Sequence, residues 1–124
     1  MDSTREIRPT FSRDELPLAG RVIVTDATTA RTLALTDADK YIRCTSGSAT
    51  AVTVPPQTDT TWLANTEIIV EQAGAGAVTI TEGAGVTVSV NATYTLVTAG
   101  QYAVVRLKRV AEDVWVLSGD RVAA

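Results

Sequence analysis

Few side chains in this sequence have the chemistry to act on a substrate. There is one cysteine, Cys44, and no histidine. The base that usually activates a serine or cysteine nucleophile is therefore missing, and so is the commonest zinc ligand. Cys44 ends the run KYIRC, where alternation puts it on the same face as Ile42. That placement fits a small core hydrophobe rather than a reactive thiol. Ser118-Gly119-Asp120 closes a strand with no histidine after it, so it does not read as a nucleophile site. Asp59 with Glu67 or Glu82 are the carboxylates that could meet for acid–base work, but their spacing does not bring them together, and the aromatic-rich cleft of a glycoside site is lacking.

Asp37-x-Asp39 invites a calcium reading. An EF-hand loop needs more oxygen ligands, a glycine at the sixth place and a closing glutamate, and Ile42 and Cys44 fall in that stretch instead. A turn in which aspartate bonds its own backbone is expected. Gly74-Ala75-Gly76 and Gly83-Ala84-Gly85 resemble phosphate cradles only superficially, since each runs into another strand and no helix follows. Arg106, Lys108 and Arg109 form the one basic cluster. It reads as a solvated strand face, with an acidic partner surface as the alternative. No enzyme, no cofactor and no metal site is expected.

The elements that would carry these residues are strands. In Thr66 to Val90, TEIIVEQAGAGAVTITEGAGVTVSV, Val78 and Ile80 oppose Thr79 and Thr81, and Val86, Val88 and Val90 oppose Thr87 and Ser89. This period of two, in β-branched residues, marks half-buried strands. The two glycine triplets between them predict hairpin turns. The same grammar covers RVIVT, RTLALT, KYIRC paired with ATAVTV, TYTLV, the long QYAVVRLKRV and VWVLSGD. In QYAVVRLKRV, Ala103, Val105 and Leu107 share one face, and Tyr102, Val104, Arg106 and Lys108 the other. Pro55-Pro56 ends a sheet edge, and Trp62 is expected to pack under the following loop. The fold class is all-β: an antiparallel β-sandwich or barrel of short strands with an extended N-terminal arm. Short connections argue for antiparallel pairing. GAGAVTIT and GAGVTVSV are similar, but as turn grammar rather than as a repeat.

Length and composition agree with one domain, residues 21–124, behind an arm of residues 1–20. The chain of 124 residues is 45% hydrophobic but only 5% aromatic, so Val, Ile, Leu and Ala must build its core. A net charge of -3 and a pI near 4.8 disfavour a nucleic-acid or anionic-membrane binder. The N-terminus lacks the apolar run of a signal peptide and no segment is long enough to span a membrane, so synthesis in a reducing cytoplasm is expected. Asn91-Ala-Thr93 is then a chance sequon. Within the arm, Ser12 to Glu15 fits a capping box for one helical turn, and Pro9 and Pro17 prevent more. Two readings stay open. The arm is a disordered leader, or it orders against a partner through Ile7, Phe11, Leu16 and Leu18 as apolar anchors and Arg5, Arg8 and Arg13 as ionic ones.

The order DADKYIRCTSGSATAVTVPP, then IIVEQAGAGAVTITEGAGVTVSV, then YTLVTAGQYAVVRLKRVAEDVWVLSGD resembles a β-rich module of tailed-bacteriophage virion proteins, found in tail fibres, minor structural proteins and small head proteins. The resemblance spans about Thr32 to Asp120 and leaves out the arm. It implies an assembled, non-enzymatic structural protein of the virion, often a homotrimer. With no shaft segments beside it, a small acidic β domain with an arm suits a decoration protein that binds the major capsid protein on the outer surface of the head. A tail-fibre or tail-tip module involved in host attachment is the first alternative, for which Trp62 is the one candidate aromatic. A carbohydrate-binding module is the second, and it needs a row of exposed aromatics.

Overall fold

The computed structural model describes residues 20–124. The described residues form eleven strands and one short 3-10 turn: β1 (Val22–Asp26), β2 (Ala30–Thr32), the turn Leu35–Asp37, β3 (Lys40–Cys44), β4 (Thr50–Val54), β5 (Glu67–Gln72), β6 (Val78–Glu82), β7 (Thr87–Ser89), β8 (Tyr94–Thr98), β9 (Val104–Ala111), β10 (Val114–Gly119) and β11 (Arg121–Ala123). They build two sheets that pack together. The first has the order β1-β3-β5-β9-β10-β7, the second β11-β8-β6-β4-β2.

The all-β expectation holds, and of the sandwich and the barrel that alternation left open the fold is two packed sheets. The pairing differs from the antiparallel one expected. Strands β1, β3 and β5 run parallel in one sheet, and β2, β4 and β6 run parallel in the other. The chain alternates between sheets, so the crossover between two parallel neighbours is itself a strand of the opposite sheet. A short corner is enough for that, and no long connection is needed. The first half of the protein is thus a stack of coils. The second half reverts to antiparallel pairing, with β9 beside β5, β10 beside β9, β8 beside β6 and β11 beside β8. β7 closes the edge parallel to β10.

The glycine triplets take a different role in consequence. β5 and β6 lie in different sheets, so Gly74-Ala75-Gly76 is a corner and not a hairpin; Gly83-Ala84-Gly85 likewise joins β6 to β7 across the layers. Thr45 to Ser48 joins β3 to β4 in the same way. The corners rest on one another. Ala73 and Gly74 donate to the Cys44 carbonyl, and Gly76 donates to that of Ser46. A Cβ on Gly74 or Gly76 would overlap the backbone of Thr45, Ser46 or Ser48, so glycine is required there for close approach and not for handedness. RTLALT is a strand only over its first two residues, the end of β2, after which Leu33 is buried and Leu35 points out of the 3-10 turn.

The core lies between the sheets, where Ile42, Val52, Val70, Ile80, Val105 and Leu107 are fully enclosed. Cys44 joins them, as alternation with Ile42 predicts. Trp62 is buried under its loop, meets Trp115 edge-on at 5.2 Å, and donates its indole N–H to the Pro55 carbonyl at 3.3 Å. At one end, Gln72 and Thr98 bridge the sheets. The Thr98 hydroxyl donates to Gln72 Oε1 while its oxygen accepts the Val78 N–H at 2.9 Å. Each buried polar group there has a partner, which is the condition for such a network to stabilise rather than disrupt a core.

Candidate functional site

On the outer face of the first sheet, Tyr41 and Glu71 gather at Arg43. Parallel register sets Tyr41 beside Ile69 and Arg43 beside Glu71. On the other flank of β5, antiparallel register sets Ile69 beside Arg106, Glu71 beside Val104 and Glu67 beside Lys108. Arg43 Nε donates to Glu71 Oε1 at 2.8 Å, a charge-assisted bond that is stronger than a neutral one. Glu71 is largely buried, although its side chain leaves the outer face of the sheet. Burial pushes the Tyr41 hydroxyl above its ordinary range, and its hydrogen bond to the Glu71 carboxylate adds to the shift. That same carboxylate raises Arg43, so the guanidinium is firmly charged.

Tyr102 completes the cluster. It is 64% exposed, close enough to Arg43 to act on its charge, and its backbone has φ 69°. A bulky residue in the left-handed region is an outlier that glycine would relieve. Among the described residues the other non-glycine positions with positive φ, Asp39, Asn65 and Asp113, are of the types that tolerate it. Here a strained tight turn presents an aromatic ring to solvent. Tyr and Arg are the residues most enriched among interface hot spots.

The residues singled out from sequence chemistry are placed elsewhere. Asp37 accepts from Arg31 Nη2 at 2.6 Å and from the Ala34 N–H at 3.0 Å; Asp39 is an exposed turn residue. Glu67 pairs with Arg21 at 2.7 Å and Lys108 at 3.5 Å on the first sheet, whereas Glu82 caps the Val88 N–H at 2.7 Å from the second. Asp59 is exposed in its loop. Of the basic cluster, Arg106 and Lys108 lie on the outer face, but Arg109 faces the opposite side, where its Nε is enclosed. Among the described residues, no three His, Cys, Asp or Glu side chains gather where they could hold a metal ion. Nor is any helix among them long and apolar enough to cross a membrane. Among the described residues the exposed aromatics, Tyr94 and Tyr102, adjoin different sheets and form no row; Tyr94 instead stacks under Arg121, 4.5 Å from its ring centre.

The arm residues Arg5, Ile7, Arg8, Phe11, Arg13, Leu16 and Leu18 lie outside the described residues, as does the capping box at Ser12 to Glu15. The chain enters the fold at β1, an edge strand on which Val22 and Ile23 are 53% and 61% exposed. Sequence reasoning missed the Arg43 cluster. Its signal was the alternation of Tyr41 and Arg43 against Ile42 and Cys44, which already put an aromatic and a cation outward. Comparisons of the chain with protein-family models, with curated proteins and with solved structures found no match.

Proposed function

We propose that this chain is a non-enzymatic structural protein of a tailed-bacteriophage virion. Within that class the reading it supports best is a head decoration protein, which binds the outer surface of the assembled capsid as an oligomer. The observation that carries the proposal is the outer face of the first sheet, where Tyr41, Arg43 and Tyr102 form a contact patch around an ion pair. Rigid aromatic and guanidinium groups on a flat sheet suit docking to another protein surface. Burial of Trp62 supports the head over the tail tip, because it withdraws the aromatic that a host-contact loop would use.

The test mixes the purified protein with undecorated capsids of the phage that carries it, sediments them, and measures the free protein by light scattering. Co-sedimentation at a fixed ratio to capsid subunits, together with an oligomer in solution, is the expected result. Protein that stays in the supernatant at all concentrations overturns the reading.

A further inference from the structure

We propose that the outer face of the first sheet is a docking site for an acidic peptide segment, with Arg43 and Arg106 as its two carboxylate receptors. Arg43 uses Nε for Glu71, and its two terminal amino groups have no partner among the described residues. Its side chain is 38% exposed. The Glu71 bond fixes the guanidinium plane and leaves the outer edge of the fork pointing away, an edge that matches the two oxygens of a carboxylate. Arg106 is exposed and also has no partner among the described residues. It stands beside β5, but Glu67 is taken by Arg21 and Lys108 and Glu71 by Arg43.

Between the two receptors lies β5 with Ile69 and Glu71 outward, and Ile69 stands in register between Tyr41 and Arg106. Arg43 and Arg106 are two strand spacings apart across the sheet and two residues apart along it, roughly 12 Å. Carboxylates four positions apart on one side of an extended segment span about the same distance, roughly 13 Å. The residue midway between them falls between Ile69 and the Glu71 carboxylate that Arg43 already holds, so it must carry no negative charge, and an aliphatic side chain packs on Ile69. The pattern recognised is acid, any, aliphatic, any, acid, with Tyr102 flanking it. A nucleic-acid backbone offers no aliphatic group for the middle position and would meet Glu67 as a like charge. The protein itself carries a net charge of -3, so its overall charge does not attract anions and local groups must.

This inference takes only the class of partner, a protein, from the virion reading above. The test is an amide NMR titration of the full chain with a peptide of sequence Glu-Thr-Leu-Thr-Glu between neutral flanks, and with its Gln-Thr-Leu-Thr-Gln counterpart. Shifts at Tyr41, Arg43, Ile69, Tyr102 and Arg106 are expected, with the Gln peptide weaker by about tenfold or more. Arg106→Gln removes a solvent-facing group and leaves the fold intact; it should weaken the Glu peptide by about tenfold. Arg43→Lys keeps the charge but loses the fork and should weaken it similarly. Thr79→Ala, on the opposite sheet, should change nothing. Equal binding of both peptides, full affinity in Arg106→Gln, or no shift at millimolar Glu peptide overturns the proposal. The Arg106→Gln protein taken into the capsid spin-down separates the two readings. Undiminished capsid binding by the variant overturns this docking site and leaves the decoration reading standing. Peptide binding without any capsid binding upholds the site and overturns the capsid as partner.

Discussion

Gly76 lies directly on the backbone of Ser48, so close that a Cβ at position 76 would overlap the Ser48 carbonyl and amide. The two residues belong to successive corners of the coil stack, and the Gly76 N–H donates to Ser46 at 3.1 Å. Room at this contact decides whether β5 and β6 can stack on β3 and β4. Gly76→Ala should therefore destabilise the protein by about 2–4 kcal/mol, the range for a steric clash with backbone that cannot retreat. Gly47→Ala is the control on the same corner, where a Cβ meets open space. It should be neutral or stabilise by up to about 1 kcal/mol, through the unfolded chain. Urea midpoints read from the buried tryptophans measure both. Equal effects of the two substitutions would sink the stacking argument.

The Cys44 thiol is pushed up to about 11 from an ordinary 9.0, first by burial and then by the nearby charges of Asp26 and Glu71. Between these values the folded protein keeps the proton while the unfolded chain releases it. The sign follows: this group's contribution to stability is fully present below pH 9 and is lost as pH rises through about 11. Its full size is about 2–3 kcal/mol for a shift of this order. Urea midpoints from pH 8 upward should fall more steeply in the wild type than in Cys44→Ala, which removes the titrating group. Tyr41, also raised, remains in both proteins and cancels in the comparison. At pH 8 the native thiol should resist alkylation and the urea-unfolded one should react quickly. Parallel pH slopes for the two proteins would show that Cys44 does not titrate across unfolding.

Alternation made the strands and their inward faces legible. Ile42 with Cys44, Ala103 with Val105 and Leu107, and Trp115 with Leu117 all point where a period of two places them. It could not reveal which strand lies beside which, because the period reports a face and not a neighbour. The Gly-Ala-Gly triplets were open to two meanings for the same reason that glycine is useful: a missing Cβ permits a tight turn and also permits close stacking. KYIRCTSGSATAVTV and the segment stacked on it, with Arg43 and Glu71 standing 28 residues apart, share alternation but few residues. The stack therefore left no visible repeat. The candidate site suffered most from this. Tyr41 and Arg43 read as outward residues, but Glu71 reaches Arg43 only through the parallel pairing of β3 and β5.

Arg31 closes the open end of the coil stack by bridging two carboxylates, Asp26 at 2.9 Å and Asp37 at 2.6 Å, both with largely buried side chains. Burial alone would raise Asp26. Hydrogen bonds from the Thr28 hydroxyl, Arg31 and the Thr28 amide outweigh it and hold the carboxyl below its ordinary 3.8. Its contribution to stability is thus present above pH 3.8 and is lost as pH falls through the lower, folded value. Arg31→Gln leaves two buried carboxylates without their cation and should cost about 3–5 kcal/mol at pH 7. In that variant Asp26 loses one of the bonds that hold its carboxyl low and protonates more readily, so the deficit should shrink as pH approaches 4. Urea midpoints of the two proteins at pH 7 and pH 4 measure this, and a deficit that is constant with pH would mean that packing of the Arg31 stem, not its charge, is what is lost.

Tyr102 separates stability from contact. Its φ of 69° is a conformation that disfavours any side chain with a Cβ by about 1–2 kcal/mol, and its ring is mostly in solvent, where it gains little from burial. Glycine adopts that φ freely but loses more entropy on folding, about 0.5–1 kcal/mol. Tyr102→Gly should therefore leave the urea midpoint unchanged or raise it slightly, by up to about 1 kcal/mol. The same substitution removes the aromatic flank of the Arg43 cluster and should weaken the Glu peptide by about tenfold, within the range of an aromatic hot spot. A residue retained only for its turn would show the opposite pattern, with stability lost and peptide affinity kept. Equilibrium unfolding and the NMR titration on one preparation of the variant decide between them. A variant that is more stable and binds less well identifies the strained tyrosine as a contact residue.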